Sequence, residues 1–477
     1  MTAFLERFFH IKERGSSISK EILGGITTFL ALFYILPVNS GILSGIKFAD
    51  GINQTEFGAI FLATALASGL TTLLMGIFAN FPIALSSSMG INAFLAFTVC
   101  QQAGFSYGEA MALTIVTGIL FFVISVTPLR EKIINAIPKN LKIAIASGIG
   151  FFICFIGLKN SGIIVNNSST FVALGDFRKL PVIMALVGMI LVLFLGHLKN
   201  KKISQFAVII SLFIMGIICA TIGQISYAIG GEELLTKIDM PMFYNSDFSY
   251  SALGSFKDVF GLAFKEGFQV FTKPEGYAIL FALLFVNFFD TTGTIVAVGS
   301  EANMMDENGN VIGAKRALMV DSFGTSLGGV FGTTGISSFV ESTAGISAGA
   351  RTGFSSVIVA ALFFLSIGIY PVLAMFGFTP SGLAPVTSLA LFYVGTLMFQ
   401  GLKNLDWSDT ISTASGFITI IFMLLAYSIS DGIAFGFVSY TVMSLASGNG
   451  KKVSPLMYII SLLFIGYYIL KMVVLTA

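Results

Sequence analysis

Residues 57–108 carry no charged side chain, and neither do residues 352–402. A helix needs about 20 predominantly apolar residues to cross the hydrocarbon of a bilayer, so each stretch holds two or more crossings. Hydrophobic residues make up 55% of the 477-residue chain and charged ones 10%, at a mean hydropathy of +0.91. That composition leaves no room for a soluble domain, and the fold class it dictates is all-α and polytopic in a membrane.

The charges that remain are distributed as topology signals. Basic residues gather at Arg7, Lys12, Arg14 and Lys20, at Arg130, Lys132, Lys139 and Lys142, at Lys199, Lys201 and Lys202, and at Lys451 and Lys452. The bias of Lys and Arg toward cytoplasmic connections puts all of these on the inner side, N-terminus included. The partner they imply is the lipid bilayer, not nucleic acid. The N-terminus is basic and amphipathic without a cleavage-site pattern, which excludes a removed signal peptide. Cys100, Cys154 and Cys219 lie in apolar stretches without metal-ligand spacing and read as buried structural thiols.

The apolar runs place spans at 22–46, 57–79, 81–101, 107–128, 137–160, 181–198 and 203–224, then at 276–299, 315–335, 336–350, 353–376, 382–401, 409–428 and 430–448. Seven spans per half is an odd number, so the halves run in opposite senses, and every basic cluster then falls on one side. The expected division is 1–224 for the first half, 225–275 for an extracellular structured loop, 276–448 for the second half and 449–477 for a C-terminal apolar helix. Ser454–Pro455 and Lys471 suit a C-terminal helix lying in the interface, although 455–473 is apolar enough to span.

Internal similarity supports the halves. IPKNLKIAIASGIGFFICFIGLKN (137–160) resembles TPSGLAPVTSLALFYVGTLMFQGLKN (379–404), and ALFYILPVNSG (31–41) resembles ALLFVNFFDTTG (282–293), at offsets of about 240–250 residues. Inverted repeats of this kind characterise secondary transporters, whose substrate lies near the midplane between them. The third and tenth spans depart from ordinary helices. Residues 81–92 read FPIALSSSMGIN and residues 332–345 read GTTGISSFVESTAG, with few strong helix formers. Each is expected to be a short extended stretch followed by a half-length helix, an arrangement tolerated at membrane depth only where it is buried or lines a cavity. Small residues also permit close helix packing, but packing alone leaves Glu341 unexplained.

Two carboxylates stand inside this apolar text. Asp290 is the only charged residue between Glu275 and Glu301, and Glu341 the only one between Asp321 and Arg351. A charge at the bilayer centre costs roughly 2.5–3.5 kcal/mol on insertion scales, so a substrate, proton or ion is expected to meet these acids. Asn287 lies one turn before Asp290 and is expected on the same helix face, with Thr291, Thr292 and Thr294 around them. Asn92 holds nearly the place in the third span that Glu341 holds in the tenth. Two acids and two amides suit a neutral heterocycle with N–H and C=O edges, with Phe33, Phe94, Phe285, Phe289 and Phe339 available to cover its faces. Asp321 lies one or two turns inside its span and is suited to bracing or proton coupling, Asp431 marks the outer end of the last span, and His197 sits at a helix end among lysines.

FFDTTGT at Asp290, ESTAGISAGARTG at 341–353, MGINAFLAFTV at 89–99 and SISDGIAFGFVSY at 428–440 resemble the AzgA-like branch of the nucleobase permeases, carriers of hypoxanthine, adenine and guanine related to the uracil and xanthine carriers. The resemblance covers nearly the whole chain. It implies fourteen spans in two inverted sevens, with the first four of each repeat forming a core domain (22–128 and 276–376) and the last three a gate domain (137–224 and 382–448). It implies proton symport without a cofactor or metal, a purine held by Asp290, Glu341 and Asn92, and a homodimer through the gate domain. Many members of the family carry an acid where this chain has Asn287, so either the substrate contact is altered here or coupling rests on Asp290 and Glu341 alone; Asp321 is a further candidate for coupling. An anion transporter of the same architecture would place a cationic or neutral group at the centre, and an intramembrane aspartyl enzyme would need two facing Asp; neither suits this pair of acids.

Overall fold

A computed structural model describes residues 2–46, 55–127, 137–200, 203–204, 206–243, 249–302, 304 and 311–476. Arg130, Lys132, Lys201 and Lys202 lie outside the described residues, as do the side chains of Phe289, Thr292, Lys452 and Lys471. The chain is mostly helical. Among the described residues, six helices are long and apolar enough to cross a membrane: Ile18–Ser44, Phe57–Ala79, Tyr107–Val126, Lys139–Asn160, Ala207–Ile238 and Gly353–Leu373. The shorter apolar helices Leu180–Gly196, Thr410–Leu425 and Ile429–Ala446 fall within further expected spans.

Several of these elements change pitch where the sequence forces it. Pro37 has no N–H to give the Phe33 carbonyl, so the first helix stops at Leu32 and resumes at Ile35. The Leu36 N–H takes the Phe33 carbonyl instead, at 3.2 Å. The helix Gly353–Leu365 passes into a 3₁₀ stretch, Ser366–Phe376, that contains Pro371.

The expected extended stretches are present and meet each other. Strand Leu85–Ser87 leads into helix Met89–Ala93 and a π-helical continuation, Phe94–Gln102; strand Ile336–Ser338 leads into helix Ser342–Ser347. The strands pair antiparallel about Ser86 and Ser337. The ladder extends through Ser88 N–H to the Gly335 carbonyl at 3.1 Å and Phe339 N–H to the Ala84 carbonyl at 3.0 Å. All six strand residues are buried. A two-stranded ribbon leaves outer backbone groups unpaired, and inside a helical bundle side chains must satisfy them. Thr72 Oγ1 both donates to the Leu85 carbonyl and accepts from its N–H, each at 2.9 Å, while Asp321 takes the Ser338 N–H at 2.7 Å.

Small residues also serve close packing. A Cβ at Gly345 would overlap Thr28 Oγ1 and the Gly24 carbonyl oxygen, so the half-helix lies directly on Ile18–Leu32. Both uses of Gly, Ser and Thr, extended backbone and tight approach, therefore coexist in this segment.

Two regions differ from expectation. The helix that begins at Ala207 continues to Ile238 rather than ending at 224, with a break at Gly231, φ +63°, which glycine adopts without steric cost. Short helices between Tyr250 and Thr272 follow, and a Cβ at Gly267 would overlap the Gly108 carbonyl oxygen. The C-terminal helix Pro455–Thr476 does not leave the bundle as an interfacial helix would. It runs antiparallel to Ile429–Ala446, held by Thr441 to Ser461 at 2.8 Å and Tyr468 to Asp431 at 2.6 Å. The N-terminal helix Thr2–Phe9 docks at one end of the bundle, where Phe9 meets Phe354 at 5.4 Å and Arg14 donates to the Asn80 carbonyl at 2.7 Å.

Candidate functional site

The crossing strands bring the two isolated acids to one place in the middle of the bundle. Glu341 directly precedes helix Ser342–Ser347. Its Oε1 accepts from the Tyr34 hydroxyl at 2.6 Å. Asp290, within helix Pro274–Glu301, accepts on Oδ2 from the Ser88 hydroxyl at 2.9 Å, and Ser88 caps the third-segment half-helix. Both acids are half-buried rather than fully enclosed, and Val340, next to Glu341, is 49% exposed. From Glu341 a partly accessible face continues along the half-helix through Thr343, Ala344 and Ser347 to Arg351. Ser342, Gly345 and Ile346 on its other side are buried.

Asp321 is placed differently. It is fully buried, and it accepts from Thr291 Oγ1 at 2.7 Å, Ser338 N–H at 2.7 Å and Ser338 Oγ at 2.6 Å. It thus ties helices Pro274–Glu301 and Ala314–Phe331 to the second strand. Asn287 belongs to the same ladder: its amide donates to Thr325 Oγ1 at 2.9 Å, one turn below the Thr291–Asp321 contact on both helices. The Asn287 Oδ1 is buried and takes no hydrogen bond among the described residues. Asn287 points to Thr325 and Asp290 to Ser88.

Asn92 is not the counterpart of Glu341 either. Its N–H bonds the Ser88 carbonyl at 2.9 Å, so it sits a turn inside its helix, fully buried, and its amide donates to Asn39 Oδ1 at 3.1 Å. Asn39 in turn donates to Thr64 at 2.8 Å and Thr333 at 2.9 Å. Of the aromatic candidates, Phe33 stacks on Phe213 at 6.1 Å and Phe285 packs on Phe281 at 4.6 Å and Phe437 at 5.8 Å. Phe94 is fully buried. These rings are engaged in helix packing, and Phe339 is buried beside Glu341. Thr294 is buried in the same helix.

Tyr34, Ser88 and Asn39 are the residues that sequence reading passed over. A signal for Asn39 existed: it precedes Asp290 by the same 251 residues that separate Ser86 from Ser337, the central strand pair. Tyr34 and Ser88 carried no comparable mark, because a hydroxyl among apolar residues is commonplace and its partner is some 200 or 300 residues away in sequence.

A cavity of about 1270 Å³ opens at the end of the bundle opposite the N-terminal helix, lined among others by Gly41, Glu56, Phe97, Lys159, Phe378 and Leu383. Neither acid lines it. At the cavity wall, Phe97 meets Tyr427 edge-on at 5.5 Å, and the Lys159 ammonium lies 4.7 Å from the Tyr427 ring centroid. The acids have accessible surface on the side of the half-helix Ser342–Ser347. His197 bonds its own helix, Nδ1 to the Leu193 carbonyl at 2.8 Å, and has no part in the site.

Comparison with known proteins places this geometry. Residues 19–435 match the sequence profile of the Permease family, Xan_ur_permease. The chain is 38% identical over 467 residues to the guanine/hypoxanthine permease PbuG of Bacillus subtilis (strain 168), covering 98% of this chain and 99% of that one. It is 34% identical over 462 residues to the adenine permease AdeP of Escherichia coli (strain K12), covering 97% and 95%. In fold it is similar to the transmembrane domain of the cyanobacterial bicarbonate transporter BicA, with a TM-score of 0.56 over 87% of this chain and 96% of that one at 16% identity, a likeness of architecture alone. A polytopic helical bundle, two crossing strands and matches spanning nearly the whole chain lead to one assignment: the protein is a membrane transporter, not an enzyme, and belongs to this permease family.

Proposed function

We propose that the protein carries purine nucleobases, hypoxanthine, guanine or adenine, across the cell membrane by proton symport and alternating access. The observation that carries this reading is the pair Asp290 and Glu341. Each accepts one hydrogen bond from another side chain, and each is half-buried in the centre of a helical bundle. A carboxylate has roughly four acceptor positions, so both keep capacity for the N–H edge of a base, and protonating one of them would relieve the cost of two charges in a low-dielectric site. The names of the relatives, guanine/hypoxanthine and adenine permeases, supply the class of base.

In this reading fourteen crossings form two inverted sevens. The core domain comprises 22–128 and 276–376, the gate domain 137–224 and 382–448, and the N-terminus is cytoplasmic, as the basic clusters favour. The acids sit on the core. In this reading the Phe97–Tyr427–Lys159 contacts form a plug that joins core to gate on the outer side, and the face leading from Glu341 to Arg351 opens inward. Rocking of core against gate would part the plug and close that inner face. Asp290 and Glu341 hold the base and exchange the proton, while Asp321, Asn287 and Asn92 brace them. Anion transport is not favoured, because two carboxylates at the crossing would repel an anion.

The test is uptake of labelled hypoxanthine, guanine and adenine, with xanthine and uracil as comparisons, into cells lacking their own carriers. Purine uptake that an uncoupler suppresses is the expected result. Uptake insensitive to the uncoupler removes proton coupling, and no uptake of any base removes the proposal.

A further inference from the structure

We propose that Tyr34 is a positioning residue of the transport site, whose hydroxyl holds Glu341 so that one carboxylate oxygen is turned to the base and the other is not. The inference rests on the reading of Glu341 as a base-binding acid.

The position of Tyr34 follows from Pro37. Without a proline N–H the first helix cannot close its turn at Phe33, and the break falls at Phe33–Tyr34, between Leu32 and Ile35. Tyr34 is 1% exposed, among the largest fully buried side chains. A phenol buried in this way needs a partner for its oxygen, and it finds Glu341 Oε1 at 2.6 Å, across 307 residues of sequence. Hydrogen bonds to an ionised acceptor at this distance are the strong class. That bond takes one acceptor position of Oε1 and fixes the carboxylate's orientation, with Oε2 turned to a ligand's N–H.

A hydroxyl also suits an acid that changes protonation state. It donates to the carboxylate, and it accepts from the carboxylic acid once a proton arrives. A lysine or arginine at this place can only donate and would hold Glu341 ionised. Asp290 is served in the same manner by Ser88, so each acid of the second half meets one hydroxyl from the first half. Tyr34 differs from Ser88 in standing at a helix break rather than at a helix cap, which leaves its orientation set by tertiary packing.

The experiment begins with the wild-type protein, since absence of purine uptake there defeats the functional reading itself and this inference with it. Given wild-type uptake, Tyr34→Phe at matched membrane abundance is expected to raise KM about tenfold or more, to leave Vmax within about threefold, and to displace the pH profile of uptake. An unchanged KM and pH profile overturn the role of Tyr34 alone. In purified protein, adding Tyr34→Phe to Glu341→Gln should weaken base binding no further than Glu341→Gln does; additive losses show that Tyr34 does not act through Glu341. Should Tyr34→Phe fail to fold, 3,5-difluorotyrosine at position 34 preserves the shape while altering the acidity of the hydroxyl. A displaced pH profile supports the inference, and an unmoved one overturns it.

Discussion

Asp321 and Glu341 are both carboxylates enclosed by helices, and the protein treats them in opposite ways. Asp321 is fully buried and accepts three hydrogen bonds of 2.6–2.7 Å from Thr291 and Ser338. Glu21 resembles it: fully buried, its oxygens take the N–H groups of Arg351 at 2.8 Å and of Thr352 and Ser355 at 3.3 Å, at the start of the helix Gly353–Leu365. Glu341 and Asp290 keep accessible surface and are each met by one side-chain hydroxyl. In the proposed reading, full burial with several partners marks a bracing acid, and one side-chain partner with remaining accessibility marks a binding acid.

The contrast can be broken most severely at Asp321. Asp321→Asn replaces one acceptor oxygen with a donor facing hydroxyls and an N–H, at a cost of roughly 3 kcal/mol or more. Thermal unfolding in detergent should show a large drop in stability. A stable Asp321→Asn protein with altered pH dependence of uptake would move Asp321 to the binding class. Glu341→Gln should do the reverse. A site built to accept an N–H loses about 2–3 kcal/mol of base affinity when a carboxylate oxygen becomes an amide, a fall of roughly 30–100-fold, with unfolding temperature little changed. Accumulation of base by Glu341→Gln at the wild-type level would end its assignment.

Asn287→Asp sharpens the boundary between the two classes. The amide donates to Thr325 in a fully buried ladder, so the substitution is expected to cost about 1–2 kcal/mol of stability and to leave KM for the base within about twofold. A large change in KM without destabilisation would place position 287 in contact with the base. The smallest effect is expected from Ser88→Ala, which removes the 2.9 Å bond to Asp290. The loss is about 1 kcal/mol, a rise in KM of about fivefold. A loss of all uptake would show that the Ser88 hydroxyl does more than position Asp290.

Much of this was legible in the residues. The charge-free stretches demanded a helical membrane bundle, and the Gly, Ser and Thr runs at 81–92 and 332–345 marked the extended segments that pair in the structure. Asp290 and Glu341 stood out because a lone charge in apolar text needs a reason. Asn92 and Asn287 were equally visible, but their protein partners, Asn39 and Thr325, were not. Residue type and helical spacing say which face a side chain shares, but not which neighbour that face meets. Asn287 and Asp290 are one turn apart and still reach different helices.

The course of the helix through 225–238 was misread for a local reason. A structured loop was expected over 225–275, but Gly231 absorbs the change of direction and helical structure resumes to Ile238. The C-terminal helix was equally open to two readings until Thr441–Ser461 and Asp431–Tyr468 placed it along its neighbour.

What the sequence determined by itself is the solvent and the element type: composition requires a bilayer, Pro37 breaks the first helix, and small polar runs give up helical structure at two points. What only tertiary structure decided is the pairing. Tyr34 with Glu341, Ser88 with Asp290 and Ser338 with Asp321 join separate segments of the fold, Tyr34 and Glu341 from opposite halves of the chain. The reason is physical: in a low-dielectric interior each polar group must find a partner, and which partner it finds is set by the packing of helices that lie far apart in the chain.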